Sequence, residues 1–287
     1  RLALESRGQQ DLFYVQLDRL MRTAARQLLH RYEVLSRLRV CDLPFLMGQH
    51  LYLDSEQLKP EDSIRDVIKH GTLAIGFIGL AETLQSLIGK HHGEDDEALE
   101  LGYKIIEHMR RRTDSYADEY DLNFVLVATP AEGLAGRFVK MDRQRYGTIP
   151  GVTDKDYYSN SFHIPVYYAM SLFDKIKAEG RFHALCNAGH ISYTELEAPP
   201  VHNYEAVDRI VRQMAAADVG YGGINYPLDE CKNCSHSGVF NAECPQCGCP
   251  DIRRIRRITG YLSTDERFNE AKHQELVDRK VHFTAGG

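Results

Sequence analysis

The chain has 287 residues, 43% of them hydrophobic and 26% charged, with a formal net charge of −6. That length can bury a sizeable core in one large domain or two, and the acidic balance argues against a general nucleic-acid binder, which carries a basic stripe. No apolar run reaches the roughly 18 residues of a membrane span, and Arg1-Leu-Ala-Leu-Glu-Ser6 has no apolar signal-peptide core, so a cytoplasmic protein is expected.

Residues 11–38 predict a helix, because Leu12, Leu17, Leu20, Met21, Ala24, Leu28, Leu35 and Leu38 recur mostly at three- and four-residue steps. Pro44 and Gly48 end that region, and Asp62-Ser-Ile-Arg65 opens another helix by its capping chemistry. Residues 71–79, from Gly71 to Gly79, are almost wholly apolar and broken by glycines. They predict a strand buried on both faces with something pressed against its glycines, followed by a helix to about Leu87. Gly89 to Asp96 reads as a polar turn with His91 and His92 exposed, leading into a charged helix at about 95–119. Asn123–Thr129 is a second buried strand, after which Pro130 and Glu132 begin a helix. Beyond a turn at 147–151, helices at about 168–179 and 204–217 flank a strand near 190–197, and a last helix runs from about Asn269 to Val281. Buried strands alternating with amphipathic helices predict an α/β fold with largely parallel strands. Composition shifts at about residue 228, giving expected units of 1–227, 228–250 and 251–287.

The shift marks Cys231-Lys-Asn-Cys234 and, nine residues on, Cys244-Pro-Gln-Cys247. Each Cys-x-x-Cys turn offers two sulfurs to one ion, and two turns complete a tetrahedron. Zn²⁺ is the default, and a rubredoxin-like iron site has the same ligands. Four protein ligands close the site, which makes it structural. Cys249 is expected outside the ligand set. Of the remaining cysteines, Cys41 reads as a buried core thiol, and Cys41 and Cys186 scattered through a long chain fit a reducing compartment. Arg253, Arg254, Arg256 and Arg257 read as charge compensation for the site or a solvated face. Contact with nucleic acid is the alternative. The competing functional reading is therefore a zinc-ribbon module on an α/β domain that binds nucleic acid or protein.

Ile258-Thr-Gly260-Tyr261-Leu, behind an arginine pair and after the cysteine knuckles, closely resembles the radical loop of anaerobic (class III) ribonucleotide reductases. Ala128-Thr-Pro-Ala-Glu132-Gly-Leu-Ala-Gly136 with Arg145-Tyr-Gly147, Tyr158-Ser-Asn-Ser-Phe-His163, and Arg267-Phe-Asn-Glu-Ala-Lys272 resemble the same family, so the likeness covers essentially the whole chain. Thr259 departs from it, since related loops often carry Cys, Ser or Ala there. The resemblance implies the second half of a ten-stranded β/α glycyl-radical-enzyme barrel, with a four-cysteine zinc-ribbon-like module and a glycyl-radical loop. It gives Gly260 the radical and Cys231, Cys234, Cys244 and Cys247 the zinc. Asn160, Ser161 and Glu132 become pocket-lining candidates, against the plainer reading of caps or satisfied core polar groups. A radical at Cα needs a planar centre, which a Cβ would crowd, so glycine is required.

The implied activity is reduction of ribonucleoside triphosphates to deoxyribonucleoside triphosphates for DNA synthesis. The implied partners are a radical-SAM activase (4Fe-4S, S-adenosylmethionine), formate or a thioredoxin-type reductant, and a second copy in a homodimer, with no membrane and no nucleic acid. The family's thiyl cysteine lies upstream of the segment that Arg1 begins to match, and neither Cys41 nor Cys186 stands in its context. The chain is thus expected to be a C-terminal portion that does not turn over alone.

Overall fold

The computed structural model describes residues 1–258 and 260–282, so Thr259 and the tail from 283 lie outside the described residues. The first part of the chain carries nine helices among those residues: α1 (Leu2–Ser6), α2 (Gln10–Leu35), α3 (Pro44–Gly48), α4 (Arg65–Ile68), α5 (Leu80–Ile88), α6 (Asp96–Tyr120), α7 (Leu134–Tyr146), α8 (Leu172–His183) and α9 (Tyr204–Ala216). Between them lie β1 (Thr72–Phe77), β2 (Asn123–Ala128), β3 (Ser192–Glu195) and β4 (Gly222–Asn225). A separate, antiparallel sheet follows the two parallel pairs, built from β5 (Leu228–Cys231), β6 (Ser237–Gly238), β7 (Ile252–Arg257) and β8 (Leu262–Thr264), and α10 (Glu270–Asp278) comes last.

β1 and β2 pair in parallel with Leu73 opposite Phe124 and Ile75 opposite Leu126, and β3 and β4 pair in parallel with Thr194 opposite Ile224. A parallel bridge from Val127 to Gly189, with the Ala128 N–H donating to the Gly189 carbonyl at 2.9 Å, carries the layer from β2 toward β3. Such parallel crossovers need an intervening helix, and α6, α8 and α9 fall in the connections. The α/β expectation therefore holds, with four parallel strands among the described residues.

Helices cover one face of this layer. Leu73, Ile75, Phe124 and Leu126 sink into a core with Phe13, Leu17 and Met21 of α2, Leu80 and Leu84 of α5, Ile105, Ile106 and Met109 of α6, and Phe182 of α8. The expectation that β1 is buried on both faces is corrected. Its burial alternates, with Thr72 and Ala74 exposed on the face away from the helices. Close approach to its glycine is real, since a Cβ on Gly76 would sit 1.9 Å from the Thr129 hydroxyl.

Several helix boundaries shift for identifiable reasons. α2 buries Phe13, Leu17, Met21 and Ala25 at four-residue steps, so Leu12 and Leu20 point outward and the helix ends at Leu35. Pro44 starts the short α3, where its missing N–H costs nothing, and does not merely end a region. α7 begins at Leu134, later than Pro130, because the Ala131 N–H donates to the Asn160 side chain at 2.9 Å and holds the intervening turn out of the helix. α8 begins after Ser171, whose hydroxyl accepts from the Asp174 N–H. The last helix, expected from about Asn269 to Val281, runs from Glu270 with Asn269 as its cap and stops at Asp278.

His91 and His92 are both buried, contrary to the exposed turn expected for them. They serve as aromatic plates. His92 packs its edge on Phe182 and donates Nε2–H to the Phe162 carbonyl at 2.7 Å, while His91 packs against Tyr168. Cys41 is exposed, not a core thiol, because Val40 and Leu43 beside it take the inward positions of the short turn. No helix among the described residues is long and apolar enough to cross a membrane.

Candidate functional site

The four sulfurs of Cys231, Cys234, Cys244 and Cys247 lie within 4.8 Å of one another. Cys231 Sγ and Cys247 Sγ are 3.6 Å apart, as are Cys234 Sγ and Cys244 Sγ. A tetrahedron with metal–sulfur bonds of about 2.3 Å has edges of about 3.8 Å, so the two 3.6 Å separations and the 4.8 Å limit on the rest suit a Zn²⁺-sized ion. The backbone prepares both turns. The Ser235 N–H donates to the Cys231 carbonyl, and the Gly248 N–H donates to the Cys244 carbonyl. Cys249 is not in the sulfur cluster, and its carbonyl accepts from the Cys244 N–H at 2.9 Å. Apolar support is slight: among the described residues only Phe240 is buried with Cys231 and Cys244 in this cluster.

The arginine run has a specific use. Arg254 and Arg256 both reach the fully buried carboxylate of Asp229 on β5, at 3.3 and 2.7 Å, and Arg253 pairs with Glu230 at 2.7 Å. Cross-strand ion pairs thus tie β7 to β5, and these charges face protein carboxylates and not the cysteine cluster.

β7 and β8 pair antiparallel, Arg257 opposite Leu262, and Ile258, Gly260 and Tyr261 stand in the connection between them. Gly260 stands on that loop, exposed, with nothing within 4 Å of where a Cβ would be. Ile258 is buried and lines a narrow cleft with Thr129, Pro130, Asn160, Ser161, His163 and Tyr193, between the C-terminal end of β2 and the start of β3. Tyr261 on the other side donates its hydroxyl to Glu132 at 3.1 Å, and Lys272 of α10 reaches the same carboxylate at 2.9 Å while lying over the Tyr261 ring.

The sequence candidates therefore divide. Asn160 and Ser161 line the cleft beside Ile258. Each also has a structural duty: the Asn160 side chain accepts from the Ala131 N–H, and the Ser161 carbonyl accepts from the Leu80 N–H at 3.2 Å. Ser161 adopts a left-handed conformation (φ 39°), uncommon for a residue with a Cβ. Glu132 sits at the hairpin, bound to Tyr261 and Lys272. His163, at the cleft floor, is kept neutral by burial and donates Nε2–H to the Ile191 carbonyl at 2.7 Å.

Sequence reasoning missed Arg279, which follows α10. Its side chain is 9% exposed and makes four hydrogen bonds: to Glu195 at 2.9 Å, to Glu275 at 3.0 Å, and to the carbonyls of Arg257 and Ile258 at 2.8 and 3.1 Å. No spacing signal links residues so far apart in the chain. Cys186 is fully buried, and burial pushes its thiol up to about 12, so it is inert at neutral pH.

Solved structures share this fold. An anaerobic ribonucleotide reductase superposes with a TM-score of 0.77 over 99% of this chain and 44% of its own, at 21% identity. A Thermotoga maritima anaerobic ribonucleotide reductase in complex with dATP and CTP does so with a TM-score of 0.69 over 96% and 43%, at 20% identity. The fold is thus that of part of an anaerobic ribonucleotide reductase. The family model for anaerobic ribonucleoside-triphosphate reductase matches residues 1–282, and the chain belongs to that family. The anaerobic ribonucleoside-triphosphate reductase of Salmonella typhimurium is 36% identical over 303 residues, which is all of this chain and 41% of the relative. The chain thus spans less than half the length of the relatives it matches.

Proposed function

We propose that this chain is the radical-storing part of an anaerobic ribonucleoside-triphosphate reductase, that Gly260 carries the stored radical, and that the four cysteines hold a structural Zn²⁺. The observation that carries the reading is the hairpin: a glycine with open space at Cα, between a side chain inserted in the strand-end cleft and one tied to Glu132. A planar glycyl centre needs that absence of a Cβ, and an activase needs access to the Cα–H bond. Helices on one face of a parallel layer, with the opposite face of β1 bare, suit the wall of a β/α barrel that is completed to ten strands by the rest of the protein.

The chemistry that follows is the family's. A radical-SAM activase with a 4Fe-4S cluster and S-adenosylmethionine removes hydrogen from Gly260. The radical passes to a cysteine outside the residues described, whose thiyl takes the 3′-hydrogen of a ribonucleoside triphosphate. The 2′-hydroxyl leaves as water, and formate or a dithiol supplies the two electrons that complete the deoxyribonucleotide. Asn160 and Ser161 are the pocket-lining groups of this chain, and Glu132 acts through Tyr261 on the loop. Zn²⁺ on the four thiolates fixes the root of β7 and takes no part in the reaction. A second copy completes a homodimer, and the protein works in the cytoplasm. The nucleic-acid alternative is weakened, because Arg253, Arg254 and Arg256 already face carboxylates.

The test is product formation. The full-length enzyme with its activase, under anaerobic conditions, should convert ribonucleoside triphosphate to the deoxy form, and Gly260→Ala should abolish this while zinc content stays at the wild-type level. Turnover by Gly260→Ala would overturn the proposal.

A further inference from the structure

Resting on the radical reading above, we infer that Arg279 is a positioning residue that sets how far Gly260 reaches toward the strand ends, and that it serves radical transfer and not radical installation. Gly260 makes no side-chain contacts of its own, so its placement is decided by the two arms of the hairpin. One arm is held through Tyr261 and Glu132 near the surface. The other arm is tied to β5 along its length by the arginine ion pairs, and at its loop end Arg279 grips the backbone: Nη1 and Nη2 donate to the carbonyls of Arg257 and Ile258, the last strand residue and the first loop residue.

The same guanidinium connects this backbone to two other elements. Glu195 closes β3, and its Oε1 accepts both from Arg279 and from Asn225 at the end of β4. Glu275 belongs to α10 and accepts at 3.0 Å. One planar fork thus references the hairpin to the C-terminal edge of the β3–β4 pair and to the last helix. Arginine is specific here. Its donors lie in a fixed plane that meets two carbonyls and two carboxylates at once, whereas a lysine ammonium is a single point on a flexible stem. Buried carbonyls also need donors, so without the fork the loop root has reason to move.

Radical exchange between Gly260 and a partner thiol requires close approach, and a displacement of about 1 Å in such a geometry can cost about a hundredfold in rate. Installation is done by a separate enzyme acting on the exposed Cα–H, and needs no contact with the strand ends.

The experiment is Arg279→Lys in the full-length enzyme, which keeps a positive charge between Glu195 and Glu275. The readouts are zinc content, melting temperature, glycyl radical per protomer by electron paramagnetic resonance, turnover per radical, the KM for substrate, and amide hydrogen exchange across residues 255–264. The expected result is wild-type zinc and radical content, an unchanged KM, faster exchange in the hairpin, and turnover per radical lower by about a hundredfold. Wild-type turnover per radical would overturn the inference, as would lost turnover without faster hairpin exchange. A parallel loss of zinc, radical and melting temperature would also overturn it, by showing a merely structural arginine. A wild-type enzyme that never acquires a glycyl radical would instead overturn the radical reading itself.

Discussion

The parallel layer and the cysteine module are built on opposite economies of side chain. The layer rests on apolar burial: Phe162 and Phe182 are fully buried and stacked with centroids 5.4 Å apart, and Leu84, Ile106 and Leu126 close around them. The module has almost no such core, since Cys231, Phe240 and Cys244 make up its buried cluster. It is held by sulfur geometry and by ion pairs on the buried Asp229. The lesson is that the sheet carrying the β7–β8 hairpin is placed by polar contacts and clustered sulfurs, which fix direction, while the parallel layer is placed by packing. The two regions should therefore fail independently, and the predictions separate them.

The largest effect belongs to the metal. Chelation, or Cys234→Ser, should unfold the module, since structural zinc supplies on the order of 10–16 kcal/mol to isolated zinc-binding peptides. Hydrogen exchange should show residues 228–264 losing protection while α6 and β2 keep theirs. Simultaneous loss of protection in both would show that the regions are one cooperative unit.

Next comes the packing of the wall. Phe182→Ala should cost about 3–5 kcal/mol, seen as a lower denaturation midpoint, while zinc stoichiometry stays unchanged. Zinc loss at low denaturant in this variant would contradict the separation.

The smallest effect is one of pH. Burial lowers His92 and His183 from the ordinary 6.5 to about 4, with the Phe162 carbonyl partly opposing this at His92 and neighbouring His190 adding to it at His183. The unfolded chain then binds more protons than the folded one between about 6.5 and about 4, so stability falls as pH drops through that window and is flat above it. Melting temperature against pH, with zinc content followed in parallel, should show this slope, and His92→Gln should flatten it. An unaltered slope in that variant would exclude His92 as a source.

Much of this was legible in the sequence. Periodicity found the long helices and both strands of the first pair, and the Cys-x-x-Cys spacing brought four sulfurs to one point. The errors have physical reasons. His91 and His92 read as polar, yet a neutral imidazole packs as an aromatic plate once its N–H finds a carbonyl. The arginine run read as compensation for thiolates or a solvated face; strand pairing sets Arg254 opposite Asp229, while Arg253 stays half-exposed. Glu132 meets Tyr261, a contact across 129 positions that no spacing in the chain announces. Arg279 was invisible, because its meaning depends on Glu195 and Ile258, which are distant in the chain and adjacent only after folding.

The central claim concerns the Cα of Gly260, and electron paramagnetic resonance on the activated full-length enzyme reaches it most directly. A glycyl radical bears one α-hydrogen, so its signal should be a doublet that collapses to a single line in protein labelled with α-deuterated glycine, and it should vanish in Gly260→Ala. A doublet that persists in Gly260→Ala, or that is indifferent to the deuterium, would place the unpaired electron elsewhere and contradict the account.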